Sequence, residues 1–231
     1  MNKIGIIAGI GPASTVEYYN LIIQGFRERL STKDYPEMLL HSINMTEMLS
    51  YVFKGELDNL VDFLKVKIQV LEEAGVDCVA LASNTPHLVF DELAEVVQVP
   101  MVSIVEETCK VVRESKLKKV GLLGTKSTMS MGFYQRAGSK QGIEIVIPEE
   151  KQQDYVHEKY MGELVVNEIK PETKERLVGI VDKLQDKESI EGLILGGTEL
   201  PLILQQEDFQ RLKVFNTTEI HVKAILDRML A

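Results

Sequence analysis

The chain has 231 residues, 45% of them hydrophobic and 26% charged, with a formal net charge of −9. That length suits one large or two small domains of ordinary globular composition. The negative balance speaks against a nucleic-acid partner, which needs clustered Lys and Arg, yet leaves an anionic small substrate open because the local field outweighs net charge.

Short apolar runs alternate with longer amphipathic ones, the pattern of an α/β fold with parallel sheets. The first predicted strand is Lys3 to Ala8, and the opening run Met1-Asn2-Lys3-Ile4-Gly5-Ile6-Ile7 lacks the long apolar core and small-residue cleavage site expected of a signal peptide. Gly9-Ile10-Gly11-Pro12-Ala13-Ser14-Thr15 follows, then a helical spacing of Val16, Tyr19, Ile23, Phe26 and Leu30 with Ser14 or Thr15 as the expected cap. Pro12 and the lack of a third glycine argue against a dinucleotide loop here. The second strand is Met38 to Ile43. Leu57, Leu60, Val61, Leu64, Ile68 and Leu71 then mark a helix that should end at Gly75 in a left-handed conformation. Cys78 to Ala82 is the third strand and runs into Ser83-Asn84-Thr85-Pro86-His87; Met101 to Ile104 is the fourth. Cys109 falls in the next helical pattern. Both cysteines read as buried small hydrophobes, and their spacing makes no metal site.

The second half repeats this order, with predicted strands Lys119 to Gly124, Ile143 to Ile147, Leu193 to Leu195 and Lys213 to Phe215. Lys3-Ile4-Gly5-Ile6-Ile7 parallels Lys119-Val120-Gly121-Leu122-Leu123, 116 positions on (119 − 3), and Ser83 parallels Gly197, 114 positions on (197 − 83). A duplicated α/β domain is the simplest reading: residues 1–100 plus 213–231 as one domain and 101–212 as the other, each with about four parallel strands. Equivalent loops would then face an interdomain cleft beyond the strand ends, where ligands bind in such folds. No apolar run reaches the ~20 residues of a membrane span, so a cytoplasmic protein with no membrane partner is expected.

The ordered set Gly9-Ile10-Gly11-Pro12, Ser83-Asn84-Thr85-Pro86-His87, Gly196-Gly197-Thr198-Glu199-Leu200-Pro201 and Phe215-Asn216-Thr217-Thr218-Glu219 resembles the aspartate/glutamate racemase family over essentially the whole length. The resemblance implies a homodimeric enzyme that uses neither pyridoxal phosphate nor any other cofactor. One thiolate would take the α-proton of an acidic or other polar amino acid, and an opposite thiol would return one. It also implies that Gly11, Thr15, Asn84, Thr85, Thr125, Gly197 and Thr198 line the substrate site. Helix N-termini at such loops can hold carboxylates without net positive charge.

The two cysteines of that pattern are Ser83 and Gly197 here. A serine hydroxyl is no equivalent base without a partner to take its proton, and glycine has no side chain. Loss of one positioned acid/base group typically slows a reaction ~10²–10⁴-fold. Ser83, His87 and Glu199 are the candidate replacements. For His87, a titrating role and a helix-packing role weigh equally; for Glu199, interaction with a helix N-terminus competes with a role as base. The competing reading of Ser83 is a hydrogen-bond donor to a bound carboxylate, and His221 suggests a structural hydrogen bond. Asp154, Glu158 and Glu163 read as a solvated helix face. A lyase, isomerase or decarboxylase of a small carboxylate, and a non-catalytic binding homologue, are the alternatives to a racemase.

Overall fold

The computed structural model describes residues 1–231, which separate into two compact units, Met1–Ile104 with His221–Ala231, and Val105–Ile220. The first unit contains β1 (Ile4–Ala8), α1 (Pro12–Leu30), β2 (Met38–Ser42), α2 (Met45–Lys54), α3 (Leu57–Glu73), β3 (Cys78–Leu81), α4 (Phe90–Val96) and β4 (Met101–Val102). Helix α5 (Ile104–Glu114) opens the second unit. There follow β5 (Lys119–Gly124), α6 (Lys126–Ser130), α7 (Phe133–Lys140), β6 (Glu144–Val146), α8 (Glu150–Gly162), α9 (Pro171–Glu188), β7 (Gly192–Gly196), β8 (Lys213–Asn216) and α10 (Thr217–Leu230).

All eight predicted strands form, each within two residues of its expected ends. They make two four-stranded parallel sheets, in the orders β2-β1-β3-β4 and β6-β5-β7-β8. The orders are the same when β5 is matched to β1, so the repeat legible in the sequence is a repeat of topology. Central strands β1, β3 and β7 are buried along their whole length, as near-continuous apolar strands covered on both faces must be.

Each unit has its own core. In the first, Ile4, Ile6 and Ala80 pack with Tyr18, Ile22 and Phe26 of α1 and with Ile225 and Met229 of α10. In the second, Leu123, Leu193 and Leu195 pack with Val156 and Tyr160 of α8 and Leu177, Ile180 and Leu184 of α9.

Three expectations are corrected. The domain boundaries shift, because β4 pairs with β3 and β8 pairs with β7: Met101–Val102 belong to the first sheet and Lys213–Asn216 to the second. The crossing points fall instead at the starts of α5 and α10. Helix α1 begins at Pro12 behind an extended Gly11, so Ser14 and Thr15 lie in its first turn rather than at its cap. The same helix buries Ser14, Tyr18, Ile22 and Phe26, while Val16, Tyr19 and Leu30 are exposed. Its apolar residues wrap most of its circumference, so spacing alone does not choose the stripe. Helix α3 does follow its pattern: Leu60, Leu64, Ile68 and Leu71 are buried, and Gly75 adopts φ +76° just beyond its end.

Candidate functional site

The predicted site residues sit on loops at the carboxyl ends of the two central strands of each sheet. In the first unit, β1 ends in Gly9, whose φ of +83° is one that side-chain-bearing residues rarely adopt. The Gly9 amide donates to Thr15 Oγ1 at 2.9 Å, and the Thr15 and Ser14 hydroxyls donate to the Gly11 carbonyl at 2.8 and 3.0 Å. The Thr15 hydroxyl is thus spent on shaping the loop that presents Gly11 and the N-terminus of α1.

The loop after β3 carries Ser83, Asn84 and Thr85 into a short helical turn, Thr85–Val89, and all three residues are buried. The hydrogen bonds of Ser83 run through its backbone: its amide donates to Leu81 O at 2.8 Å, and its carbonyl lies 2.9 Å from His87 Nδ1. The amide of Ile104 donates to His87 Nε2 at 3.2 Å. Nε2 is therefore the acceptor nitrogen, and Nδ1 carries the proton donated to Ser83 O. Burial first, and then His221, lowers the His87 pKa to about 3. With both ring nitrogens engaged by backbone, His87 is a structural brace for the Ser83 loop. Of the two roles weighed for His87, this geometry fits helix packing rather than titration, because burial disfavours the charged imidazole.

His221 behaves alike. Its Nε2 donates to Val102 O at 3.0 Å, and its Nδ1 accepts from the Tyr18 hydroxyl at 2.9 Å. Burial lowers its pKa to about 4. The imidazoles of His87 and His221 meet edge to face, with centroids 6.2 Å apart. The structural hydrogen bond expected for His221 is present.

In the second unit, Thr125 caps α6: its hydroxyl oxygen accepts from the Thr128 amide at 3.2 Å and lies 3.0 Å from Thr128 Oγ1. The loop after β7 carries Gly197, Thr198 and Glu199. Glu199 is 1% exposed, and its Oε2 accepts from the Thr198 hydroxyl at 2.9 Å and from the Tyr160 hydroxyl. Its Oε1 has no hydrogen-bond partner. At the start of α10, directly after β8, Thr217 Oγ1 donates to Leu195 O at 2.8 Å, while the buried hydroxyl of Thr218 has no partner. Two of the three orphaned buried polar atoms of the chain thus lie at the carboxyl ends of the adjacent strands β7 and β8.

No motif in the sequence marks Tyr160 as a site residue. Only its helical phase with Val156, one turn earlier, marks it as inward-facing, and nothing along the chain links it to residue 197. In three dimensions it stands against Gly197: a Cβ there would be 3.1 Å from its phenol oxygen and would collide with its ring. Its own pKa is raised well above the ordinary phenol range, by burial first and then by the neighbouring Glu199 carboxylate.

The remaining candidates fall away from these loops. Cys78 and Cys109 are buried free thiols, pushed by desolvation to about 11 and about 12. Glu163 is not on a solvated face: it is buried and accepts from Thr173 Oγ1 at 2.6 Å and Lys159 Nζ at 3.0 Å, because it sits where α8 ends against the start of α9. Asp154 is exposed and pairs with Lys126. No cluster of three His, Cys, Asp or Glu side chains is arranged to hold a metal. No helix is long and apolar enough to cross a membrane.

Two parallel sheets of one topology, with polar loops at their carboxyl ends, define a doubled α/β protein. The sequence profile of the Asp/Glu/hydantoin racemase family matches residues 7–225, and the chain belongs to that family. It is 31% identical over 163 residues to the broad-specificity amino-acid racemase RacX of Bacillus subtilis, a stretch covering 65% of this chain and 66% of that protein. A crystal structure of an aspartate racemase homologue from Pyrococcus horikoshii superimposes with a TM-score of 0.86 at 37% identity, covering 100% of both chains. An aspartate racemase from Picrophilus torridus shares the fold at 23% identity, with a TM-score of 0.79 over 99% of this chain and 94% of that one.

Proposed function

We propose that this protein is a cofactor-independent isomerase that moves the α-proton of an acidic or other polar amino acid, with Ser83 and Gly197 standing where the family pattern has thiols. The observation that carries this reading is the orphaned Oε1 of buried Glu199 on the loop after β7. A buried carboxylate oxygen without a donor is costly unless something brings it one, and the ammonium group of an amino-acid substrate does so. Asn84, Thr85, Thr125 and Thr198 shape the carboxylate-binding loops. Ser83 donates a hydrogen bond to a bound carboxylate; with His87 spent on backbone, it has no base to activate it.

Incubating the protein in D₂O with L- and D-enantiomers of a broad amino-acid panel, and following loss of the α-proton signal by NMR, tests this directly. Exchange with at least one enantiomer pair is expected. No exchange with any amino acid sinks the reading.

The asymmetry of the two loops favours one alternative. A carboxylate on one loop and only a hydroxyl on the other suits one-sided protonation of a carbanion, as in decarboxylation of a small dicarboxylate. Consumption of dicarboxylates, with no exchange of any amino acid, would replace the first reading with this one.

A further inference from the structure

Gly197 removes a thiol, but the space beside it is filled. The phenol oxygen of Tyr160 lies 3.1 Å from the point where a Cβ of residue 197 would be, so it stands near where a thiol on that residue would act. The phenol is hydrogen-bonded to Glu199 Oε2, which is also fixed by Thr198 Oγ1 at 2.9 Å. The chain therefore places a proton carrier and a carboxylate in series at the position vacated by the side chain of residue 197. A second observation points to a ligand at the same strand ends: the Thr218 hydroxyl, buried and unpartnered in the first turn of α10, directly after β8.

Resting on the proposed function, we infer that Tyr160 and Glu199 form a proton relay that replaces the thiol of the second loop, with Tyr160 as the residue that meets the substrate α-carbon. As the Cα–H bond breaks, its proton goes to the phenol oxygen. The phenol's own proton passes along the existing hydrogen bond to the Glu199 carboxylate, and the C–H electron pair stays on the substrate as a carbanion. In the reverse direction, protonated Glu199 returns its proton to the phenol oxygen while the phenol proton goes to the carbanion. Each transfer moves one proton in and one out of the phenol, so tyrosine stays neutral throughout. That fits its surroundings, because burial and the adjacent carboxylate both disfavour a phenolate. The orphaned Oε1 leaves Glu199 an oxygen uncommitted to Tyr160 and Thr198.

The test uses the full chain and the D₂O exchange assay. Y160F and E199Q are each expected to slow α-proton exchange by ~10²–10⁴-fold, the usual effect of removing a positioned acid/base group. Substrate affinity, read by calorimetry, should change only a few-fold. Y160A is the variant that separates chemistry from packing. Added phenol should restore exchange, whereas toluene, which fills the same cavity without a transferable proton, should not. Wild-type exchange that survives in Y160F, or equal rescue by phenol and toluene, overturns the relay while leaving the proposed function standing. Absence of exchange in the wild type removes both.

Discussion

The ring of Tyr160 occupies space that any side chain on Gly197 would need: its Cζ and phenol oxygen lie 3.0 and 3.1 Å from the Cβ position. Real Cβ contacts at such distances are rare, and the neighbouring atoms belong to a buried ring with little room to retreat. Glycine at 197 is therefore a packing requirement as well as a missing thiol. G197A is expected to lower stability by ~1–3 kcal/mol in urea unfolding, the usual penalty of overpacking. In a Y160A background the same substitution should be close to neutral, giving a coupling energy of about 1 kcal/mol or more between the two positions. Strict additivity of the two changes would show that the ring moves aside freely.

The buried histidines make stability depend on pH. His87 and His221 are held neutral, with pKa values lowered to about 3 and about 4. In the unfolded chain each takes up a proton near pH 6.5. Below that pH the unfolded state binds more protons than the folded state, so stability falls as pH falls, down to the folded pKa values. The slope is at most about 1.4 kcal/mol per pH unit for each histidine. Urea unfolding between pH 4 and 8 should show a plateau above pH 7 and a decline below it. H221N should flatten the decline; an unchanged slope would mean that His221 is not the group responsible.

How much of this was legible in the sequence divides along physical lines. Strands β1, β3, β5 and β7 are nearly uninterrupted apolar runs, and such runs identify themselves. The loops after them were legible as well, since Gly9, Ser83 and Gly197 follow directly from those strands. What the side chains on those loops do was not legible. His87 is four residues from Ser83 in the chain, but its role is set by Ile104, which packing brings to its other ring nitrogen. Tyr160 is invisible for the same reason: its meeting with Gly197 depends on how α8 lies on the second sheet. The domain boundary was misjudged because the edge strands β4 and β8 are short, and pairing partners, not composition, assign them.

The two thiols should be silent in the native protein. Cys78 and Cys109 are raised by burial to about 11 and about 12, so the thiolate is scarce at pH 8, and neither side chain is reachable from solvent. A thiol reagent such as dithionitrobenzoate should label neither residue in the folded chain and both after denaturation. The C78A/C109A double variant should keep its α-proton exchange rate. Rapid labelling of the native protein, with loss of that rate, would return the chemistry to a cysteine.

Glu163 joins the end of α8 to the start of α9. The Thr173 hydroxyl and the Lys159 ammonium hold its carboxyl down at about 2. A carboxyl lowered in the folded state adds stability above its unfolded pKa, near 4.3, and loses it as pH falls toward 2. E163Q should therefore be less stable than wild type at pH 7, with the gap closing between pH 4 and pH 2 in urea unfolding. A gap that stays constant with pH would mean that Glu163 acts through packing alone.

The fit of Tyr160 against Gly197 also bears on how such a chain can change over generations. Glycine and cysteine codons can differ at a single base, so the thiol looks easy to regain. Yet a cysteine arriving at 197 meets an occupied volume and costs stability before it can contribute any chemistry. Recovery has to pass first through the loss or displacement of the tyrosine, which on our reading would itself stop the reaction. The two positions hold each other in place, by sterics at residue 197 and by the proposed chemistry at residue 160.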